Sequence, residues 1–552
     1  MKQREQKETR YYDTFRDFLT DISIRYGERT AITSYRRGSE ISERSYCRLK
    51  EDSYKLARWL FEHDLNGRHI AIVSDNSYEW LITYFGIVCA GGTAVCVDIE
   101  HSDEVIGEML KRADSEAVFC SACMSDVCAA ICRESNQIRA LVTMNGNNVG
   151  DYTLSEILAG QDSEAAGQAF DALELKSDMI ATIVYTSGTT STAKPVMLSH
   201  SAILYNAADS LTLLDSRDRV FNSLPLYHMY GFTCGTLCGL IRGLNVCLSC
   251  DLKRIKQELE NFRPGMLVAV PLIIEVIYKI IRAILDKDEG IEEDEGKSWI
   301  GKLLRKSGTS YETKVRERLQ GSAFEFLDVI LTGGACLDLS IEEKLESYGI
   351  VVLQGYGATE CSPSISCNRN EDYSLDSVGV ILPGNEVRIS EENEILVRGY
   401  ALMSGYYKDP ETTAEAFDKD WFKTGDLGYF DKKGQLRITG RMKNLIVMKN
   451  GQKVSAEEIE SRFRDLPLVK DAMAYGASCG ESKDDVKIAV SIYPDPELTA
   501  GMSRYEILER LQECVDEINT KMPLYKKVQM IHLRSTQFER TSSMKLVRTN
   551  EF

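Results

Sequence analysis

Short apolar runs alternate with longer helical stretches over roughly the first 360 residues of the chain. The first such unit is the apolar run His69–Asp75, the helical stretch Ser77–Gly92 and a second apolar run, Thr93–Ile99. This alternation is typical of parallel strands connected by crossover helices, and glycine-rich turns after several runs indicate the ligand-binding edge of an open sheet. We therefore predict an α/β fold in which a large N-terminal domain contains doubly wound sheets with helices.

The pattern changes after about residue 378. The segment Asn385–Gly399 alternates apolar and polar residues and includes turn residues, as short antiparallel strands do. From Met442 onward, short strands and amphipathic helices are mixed, which indicates a small α+β domain. We predict an N-terminal domain at 1–441, a β-rich subdomain within it at about 378–441, and a small mobile C-terminal domain at 442–552.

Composition narrows the class of protein. With 552 residues, 43% hydrophobic and 27% charged, the chain resembles a globular protein of more than one domain. Its formal charge of −18 opposes binding to nucleic-acid phosphates and anionic lipid surfaces. The polar start lacks the apolar stretch of a secretory signal, and no segment has about 18 uncharged apolar residues. We expect a cytoplasmic protein with no transmembrane segment and no nucleic-acid partner.

Cysteine is frequent, with 16 residues, and four of them form a cluster at Cys120, Cys123, Cys128 and Cys132. In a reducing compartment, cysteine behaves as a small buried apolar residue. A zinc site usually has two tighter ligand pairs at a set separation. We interpret the cluster as core cysteines rather than as a metal or redox site.

The segment Tyr185–His200, YTSGTTSTAKPVMLSH, follows an apolar strand and is rich in hydroxyl side chains. Backbone N–H groups near Gly188, Ser and Thr donors and the point charge of Lys194 are what a phosphate-binding loop needs. The P-loop pattern G-x-x-x-x-G-K-[ST] is absent here. Taken alone, the segment also fits an ordinary surface turn between a strand and a helix.

Six further segments follow this one along the chain: LPLYHMYG at Leu224–Gly231, LTGGACL at Leu331–Leu337, QGYGATE at Gln354–Glu360, WFKTGDLGYFD at Trp421–Asp431, GRMKNLI at Gly440–Ile446 and FERTSSMKLVR at Phe538–Arg548. Together the seven resemble the ordered motifs of the acyl-AMP-forming superfamily, which includes acyl-CoA synthetases, firefly-type luciferases and nonribosomal peptide adenylation domains. The resemblance spans essentially the whole chain and is greatest to medium- and long-chain acyl-CoA synthetases. It implies an acid–thiol ligase that uses ATP and Mg²⁺ to activate a carboxylic acid as acyl-AMP and then transfers the acyl group to CoA.

The resemblance also implies roles for individual residues. The nucleotide would be bound by Thr186, Ser187, Gly188, Thr189, Thr190, Lys194, Gly334, Ala335, Tyr356, Gly357, Thr359, Asp426, Arg441 and Lys545. Within this set the hydroxyl-rich loop and Lys194 would hold the β- and γ-phosphates, and Tyr356 would stack on the adenine. Asp426 would accept the ribose hydroxyls. Glu360, together with Thr186, would hold Mg²⁺, which prefers oxygen ligands.

Three residues outside the phosphate loop would act during the reaction. Lys545 would neutralise the charge that builds on the phosphates during adenylation. His228 would lie where the acid and CoA meet, although a lone histidine beside an apolar helix is often only a core residue. Lys443 would be the hinge about which the small domain rotates between the two half-reactions.

The chain departs from the family pattern in the phosphate loop, where Ser191, Ala193 and Pro195 replace Gly, Pro and Gly. Fewer glycines narrow the conformations open to the loop. Because the hydroxyl donors and Lys194 are retained, we still expect an active enzyme. A nucleotide-binding sensor or scaffold that has lost turnover remains the alternative.

The acid and the acceptor are less constrained. Amino-acid-activating members carry Asp after the aromatic residue of the second motif, whereas this chain has His228 after Tyr227, which disfavours an α-amino acid. The small apolar stretch from Gly231 to Gly243 indicates either the wall of a tunnel for an acyl chain or close helix packing. We expect a fatty or similarly apolar acid and CoA. A stand-alone enzyme that loads an acyl carrier protein is the rival within the same chemistry, and luciferase-like oxidation is a weaker one.

Overall fold

The computed structural model describes residues 9–36, 40–160, 163–186, 193–212, 218–249, 251–285, 310–335, 337–369, 373–448, 452–463, 466, 468–478, 486–540 and 546–548. Contacts divide the chain into two compact units. Unit 1 comprises Met1–Glu386 and Arg398–Phe417, and unit 2 comprises Val387–Val397 and Asp418–Phe552.

Two large sheets form the framework of unit 1. In the described residues, the first has nine strands in the spatial order β16 (Val380–Ile381), β15 (Ser364–Cys367), β14 (Val351–Gly357), β13 (Val329–Thr332), β12 (Met266–Ala269), β10 (Arg219–Asn222), β11 (Asn245–Leu248), β1 (Thr30–Arg36) and β2 (Glu40–Ser45). Its central strands, from β14 to β1, are parallel, and β15, β16 and β2 add antiparallel edges. Strands such as β12 and β13 are buried at every position, as expected of parallel strands covered on both faces.

The second sheet has eight strands in the described part of the chain, in the order β19 (Gly405–Tyr406), β9 (Pro195–Ser199), β8 (Ile180–Tyr185), β4 (Thr93–Cys96), β3 (His69–Val73), β5 (Ala117–Cys120), β6 (Ala140–Thr143) and β7 (Tyr152–Thr153). The strands from β8 to β7 are parallel, while β9 and β19 pair antiparallel at one edge. Val73, Val95 and Val118 of this sheet pack in one buried cluster with Ile106 and Met109 of a covering helix.

Three smaller sheets lie further along the chain. They comprise β17 (Asn385–Ile389), β18 (Glu394–Gly399), β20 (Phe417–Asp418), β21 (Trp421–Phe430) and β22 (Leu436–Arg441) in one, β23 (Leu445–Val447) and β24 (Lys453–Ser455) in the second, and β25 (Val469–Ser478), β26 (Val486–Pro494) and β27 (Met530–Leu533) in the third. The core of unit 2 contains Val454, Ile459, Phe463, Ile488 and Leu511. It is formed by strands of the last two sheets and by the helices that pack against them.

Helix ends follow local capping chemistry. Ser77 caps the helix that begins at Tyr78, because its side chain accepts a hydrogen bond from the Trp80 backbone. Thr153 and Ser503 form capping boxes with the glutamate three residues on. The described α-helices are Phe15–Tyr26, Tyr46–Glu62, Tyr78–Cys89, Asp103–Arg112, Ser125–Glu134, Leu154–Ala159, Glu164–Ala172, His200–Thr212, Cys238–Ile241, Ile255–Phe262, Pro271–Leu285, Ser310–Leu319, Leu339–Ser347, Pro410–Ala416, Ala456–Glu460 and Arg504–Thr520. The described short 3₁₀ turns are Ala122–Met124, Leu252–Arg254, Thr359–Cys361, Met442–Asn444 and Leu524–Lys526, and Tyr230–Leu237 is π-helical.

The predicted α/β fold, with large parallel sheets followed by a small domain, is confirmed. The contact division assigns Val387–Val397 and residues 418–441 to unit 2, whereas the predicted boundary at 441/442 follows the change in sequence pattern. That boundary, and the mobility of the small domain, stay predictions. Among the described residues, no helix combines the length and apolar character that a membrane crossing needs.

Candidate functional site

The hairpin of β8 and β9 holds the two ends of the predicted phosphate loop together. The two strands pair up to Tyr185 and Pro195. Beyond that pair, the Thr186 N–H donates to the Lys194 carbonyl at 3.1 Å, and the Lys194 N–H donates to the Thr186 hydroxyl at 3.2 Å. The loop therefore begins and ends at one point of the sheet edge. The predicted phosphate ligands in between, Ser187, Gly188, Thr189 and Thr190, together with Ser191, lie outside the described residues.

Glu360 and Lys194 are brought to one place by a residue that the sequence interpretation missed. The Tyr406 hydroxyl donates to Glu360 Oε1 at 2.9 Å, and Lys194 Nζ lies over the Tyr406 ring, 4.8 Å from its centroid. Strand β19, which contains Tyr406, pairs with β9 directly after Lys194. The signal in the sequence was the pair Tyr406–Tyr407 inside a turn-rich stretch, but nothing in the local pattern tied it to the phosphate loop. We call Thr186, Lys194, Glu360 and Tyr406 the phosphate corner.

Protonation in the phosphate corner favours this arrangement. Burial raises the pKa of Tyr406, and the neighbouring Glu360 carboxylate raises it further. The phenol therefore stays neutral at ordinary pH and remains a donor to the carboxylate. Its side chain is held because only 5% of Tyr406 is exposed.

The donors in this corner fit Mg²⁺ that is bound together with a nucleotide. Among the described residues, no group of three or more His, Cys, Asp or Glu side chains is arranged to hold a metal ion. Mg²⁺ in nucleotide sites is commonly held by one or two protein oxygens, with phosphates and water completing the shell. The half-buried Glu360 carboxylate and Thr186 hydroxyl are oxygen donors of this kind.

The segments predicted to bind adenine lie side by side. Strands β13 and β14 are parallel neighbours whose register pairs Thr332 with Gln354. The turn after β13 contains the exposed Gly334, with φ of +84°, and Ala335, while β14 ends in the half-buried Tyr356 and in Gly357. A Cβ atom at Gly357 would lie 1.9 Å from the Pro363 carbonyl oxygen, so only glycine fits there. Thr359 begins the short turn that contains Glu360.

His228 lies beside a carboxylate. Its Nε2 atom is 3.8 Å from Asp98 Oδ2, and its ring centroid is 4.9 Å from that of Tyr227. Burial raises the pKa of Tyr227, and Asp98 and Glu100 raise it further. This polar surrounding favours a functional role over a purely packed core histidine. Sequence analysis missed Asp98, which lies about 130 residues before His228 and carries no motif.

Asn76 fixes the loop that presents His228. Its amide nitrogen donates to the Leu224 carbonyl at 2.8 Å, and its amide oxygen accepts from the Leu226 N–H at 2.8 Å. The loops after β3 and β10 are thereby joined at the carboxyl ends of their strands, which is where open α/β sheets bind ligands.

In unit 2, two of the predicted nucleotide-binding residues contact each other. Arg441 Nε is 2.9 Å from Asp426 Oδ1, across the paired strands β21 and β22, and Asp426 is 5% exposed. Lys443 follows in the turn Met442–Asn444, where partial burial and then Arg441 lower its pKa. Lys545 lies outside the described residues.

The described residues on either side of Lys545 are anchored by ion pairs. Arg540 contacts Asp471 at 2.5 Å, and Arg548 Nη2 lies 2.6 and 2.7 Å from the two oxygens of Glu460. Arg540 and Leu546 also form an antiparallel bridge. We call these two ion pairs the tail anchor.

Comparison with known proteins decides the family. The model of the AMP-binding enzyme family matches residues 21–407, and that of the AMP-binding enzyme C-terminal domain matches residues 443–551. The chain belongs to the AMP-binding enzyme family.

Individual relatives agree with this assignment. A protein named long-chain-fatty-acid–CoA ligase FadD15, from Mycobacterium bovis, is 29% identical over 457 residues, which cover 79% of this chain and 74% of the relative. The crystal structure of the anthranilate CoA ligase AuaEII with anthranoyl-AMP superposes with a TM-score of 0.78 at 18% identity and covers 97% of this chain and 96% of its own. The structure of o-succinylbenzoate CoA synthetase from Bacillus subtilis with ATP and Mg²⁺ superposes with a TM-score of 0.73 at 21% identity. This match covers 96% of this chain and 98% of that structure.

Membership in the AMP-binding enzymes confirms the predicted reaction class. The chain is an acid–thiol ligase of the adenylate-forming kind, which activates a carboxylic acid as acyl-AMP. The roles predicted for individual residues stay predictions, because family membership does not test them.

The glycines after His228 in this AMP-binding enzyme are closely packed. Cβ atoms at Gly231, Gly235 and Gly239 would lie 2.3 Å from the Pro225 carbonyl oxygen, 2.5 Å from the Asn222 side chain and 2.8 Å from a Val246 methyl group, respectively. At these three positions, the small residue is explained by packing. If this segment lines an acyl tunnel, residues other than these three glycines would have to face it.

Proposed function

We propose that the chain activates a fatty or similarly apolar carboxylic acid as acyl-AMP, with release of pyrophosphate, and transfers the acyl group to the thiol of CoA. The observation that carries the proposal is the phosphate corner, in which Lys194 and Glu360 both contact the side chain of Tyr406. A lysine for the phosphates and a carboxylate for Mg²⁺ are the two groups needed to polarise a triphosphate for attack at the α-phosphate.

The acid is assigned from the His228 region and from the relatives. The Asp98 carboxylate near His228 already accepts the Glu100 N–H at 3.0 Å and lies close to the imidazole, so it is engaged without a substrate amine. The name of the Mycobacterium bovis relative supports a long-chain fatty acid and CoA for this chain. His228 would orient the acid carboxylate and line the path of the thiol.

The first experiment measures pyrophosphate release over a panel of fatty, aromatic and amino acids, each with CoA, with a holo acyl carrier protein and with neither. We expect release with apolar acids, and thioester formation with CoA. Transfer only to the carrier protein would support the carrier-loading alternative. ATP binding without release for any acid would support the sensor or scaffold alternative.

A second experiment separates the half-reactions. We expect Lys545→Ala to lower acid-dependent adenylation by about 10²- to 10³-fold, since it removes charge stabilisation at the phosphates. Transfer from preformed acyl-AMP to CoA should continue nearly unchanged. Equal loss of both steps would refute the role of Lys545.

A further inference from the structure

Tyr406 contacts both charged members of the phosphate corner through different parts of one side chain. Its hydroxyl donates to Glu360 Oε1 at 2.9 Å, while its ring face lies under Lys194 Nζ at 4.8 Å. A ring face attracts a cation electrostatically, and a hydrogen bond to a carboxylate is among the stronger kinds. The positions of the ammonium and the carboxylate are thus both tied to the position of this ring.

The backbone at Tyr406 is fixed by hydrogen bonds to two other segments of unit 1. The Tyr406 N–H donates to the Thr413 hydroxyl at 2.9 Å, and that hydroxyl donates to the Asp409 carbonyl at 2.7 Å. The next residue, Tyr407, donates its N–H to the Pro195 carbonyl at 2.8 Å, which ties β19 to the end of the phosphate loop. Because only 5% of Tyr406 is exposed, its side chain also has little freedom to move.

We propose that Tyr406 is a positioning residue for MgATP, which fixes the Glu360 carboxylate for the metal with its hydroxyl and Lys194 for the phosphates with its ring. The inference rests on the proposed function for its nucleotide. The hydroxyl occupies one lone pair of Glu360 Oε1 and selects one orientation of the carboxylate. The ring keeps the ammonium over an uncharged surface, so its charge stays available to a phosphate.

The chain offers a matched control in the adjacent residue. The Tyr407 hydroxyl donates to Asp114 at 2.6 Å, and Asp114 also pairs with Lys408. Tyr407→Phe therefore removes a phenol hydroxyl from the residue that directly follows β19, without touching Glu360 or Lys194.

The test measures nucleotide binding and catalysis separately on the full chain. Calorimetry would give the Kd of ATP with and without Mg²⁺ for the wild type, Tyr406→Phe, Tyr406→Leu and Tyr407→Phe. We expect Tyr406→Phe to weaken Mg²⁺-dependent ATP binding about tenfold, because one hydrogen bond to a charged group is lost, and to leave binding without Mg²⁺ unchanged. Tyr406→Leu should weaken both, since Lys194 also loses the ring. Tyr407→Phe should match the wild type.

Activity provides the second readout. In the adenylation step we expect the Mg²⁺ requirement of Tyr406→Phe to rise about tenfold at nearly unchanged kcat, while transfer from preformed acyl-AMP stays at the wild-type rate. Wild-type Mg²⁺ dependence in Tyr406→Phe, in both binding and activity, would overturn the inference. If no acid supports pyrophosphate release but Tyr406→Phe still weakens Mg²⁺-dependent binding, the proposed function fails and the role of Tyr406 stands.

Discussion

The phosphate corner of unit 1 and the tail anchor of unit 2 both bring cations close to carboxylates, but they do so differently. In the tail anchor, Arg548 lies against both oxygens of Glu460, which is 8% exposed, so the two charges satisfy each other. In the phosphate corner, Lys194 rests on the ring of Tyr406, and the ring's hydroxyl contacts Glu360. A half-buried arginine paired with a buried carboxylate holds two segments of the chain together, whereas a lysine held over a ring keeps its charge for a ligand.

Sequence alone does not distinguish these two uses of a cation. Lys194 and Arg548 both lie in family motifs, and both would be candidates for phosphate contact. The structure assigns Arg548 to an anchoring contact, because its second guanidinium nitrogen also donates to the Ala474 carbonyl at 3.0 Å.

Glu342 in unit 1 is a buried carboxyl whose neighbours are neutral or acidic, unlike those of Glu460. It accepts a hydrogen bond from the Gln354 amide at 2.9 Å and lies near the acidic residues Glu346 and Asp376. Burial raises the pKa of Glu342 to about 8, against hydrogen bonds from the Asp376 backbone and Gln354 that lower it. Between its ordinary value of 4.5 and about 8, the folded state holds a proton that the unfolded state has lost. Stability should therefore fall as pH rises through this window, by up to about 5 kcal/mol.

Glu342→Gln is the matching variant, because it keeps the shape and cannot ionise. The pH dependence of the free energy of unfolding, measured by urea denaturation at a series of pH values, should be flatter in this variant. A slope equal to that of the wild type would mean that the carboxyl is not held protonated.

Arg548→Ala should destabilise unit 2 by about 3 to 5 kcal/mol, since it leaves Glu460 buried without its partner. The control is Lys526→Ala, which removes the more exposed pair with Glu458, where Nζ lies 2.6 Å from Oε1. The control should cost no more than about 1 kcal/mol in urea denaturation. Equal costs would remove the distinction between anchoring and surface pairs.

Lys194→Ala should lower activity and leave stability nearly unchanged, in contrast to the loss of stability expected for Arg548→Ala. We expect kcat/KM for ATP in adenylation to fall about 10²-fold, near 3 kcal/mol, while the free energy of unfolding changes by less than about 0.5 kcal/mol. Lys408→Ala, which removes an exposed lysine paired with Asp114, is the control and should change neither quantity much. A large stability loss in Lys194→Ala would make Lys194 an anchor like Arg548.

Local pattern predicted those parts of the molecule in which neighbouring residues decide the structure. The alternation around His69–Ile99 gave the parallel strands and crossover helix, and Thr186, Lys194 and Glu360 were singled out from motifs. Tyr406 and Asp98 were missed because their roles arise from contacts with residues that are remote in sequence, and neither lies in a recognisable motif. Val387–Val397 belongs to unit 2 for a similar reason, since strand pairing with β21 outweighs its place in the chain.

The most direct test of the account is acid-dependent exchange of labelled pyrophosphate into ATP in the absence of CoA, measured for the wild type and Lys194→Ala. Reversible formation of acyl-AMP at the phosphate corner predicts exchange only when an apolar acid is present, and a loss of about 10²-fold in the variant. Exchange that does not need an acid, or that proceeds at the wild-type rate without Lys194, would contradict it.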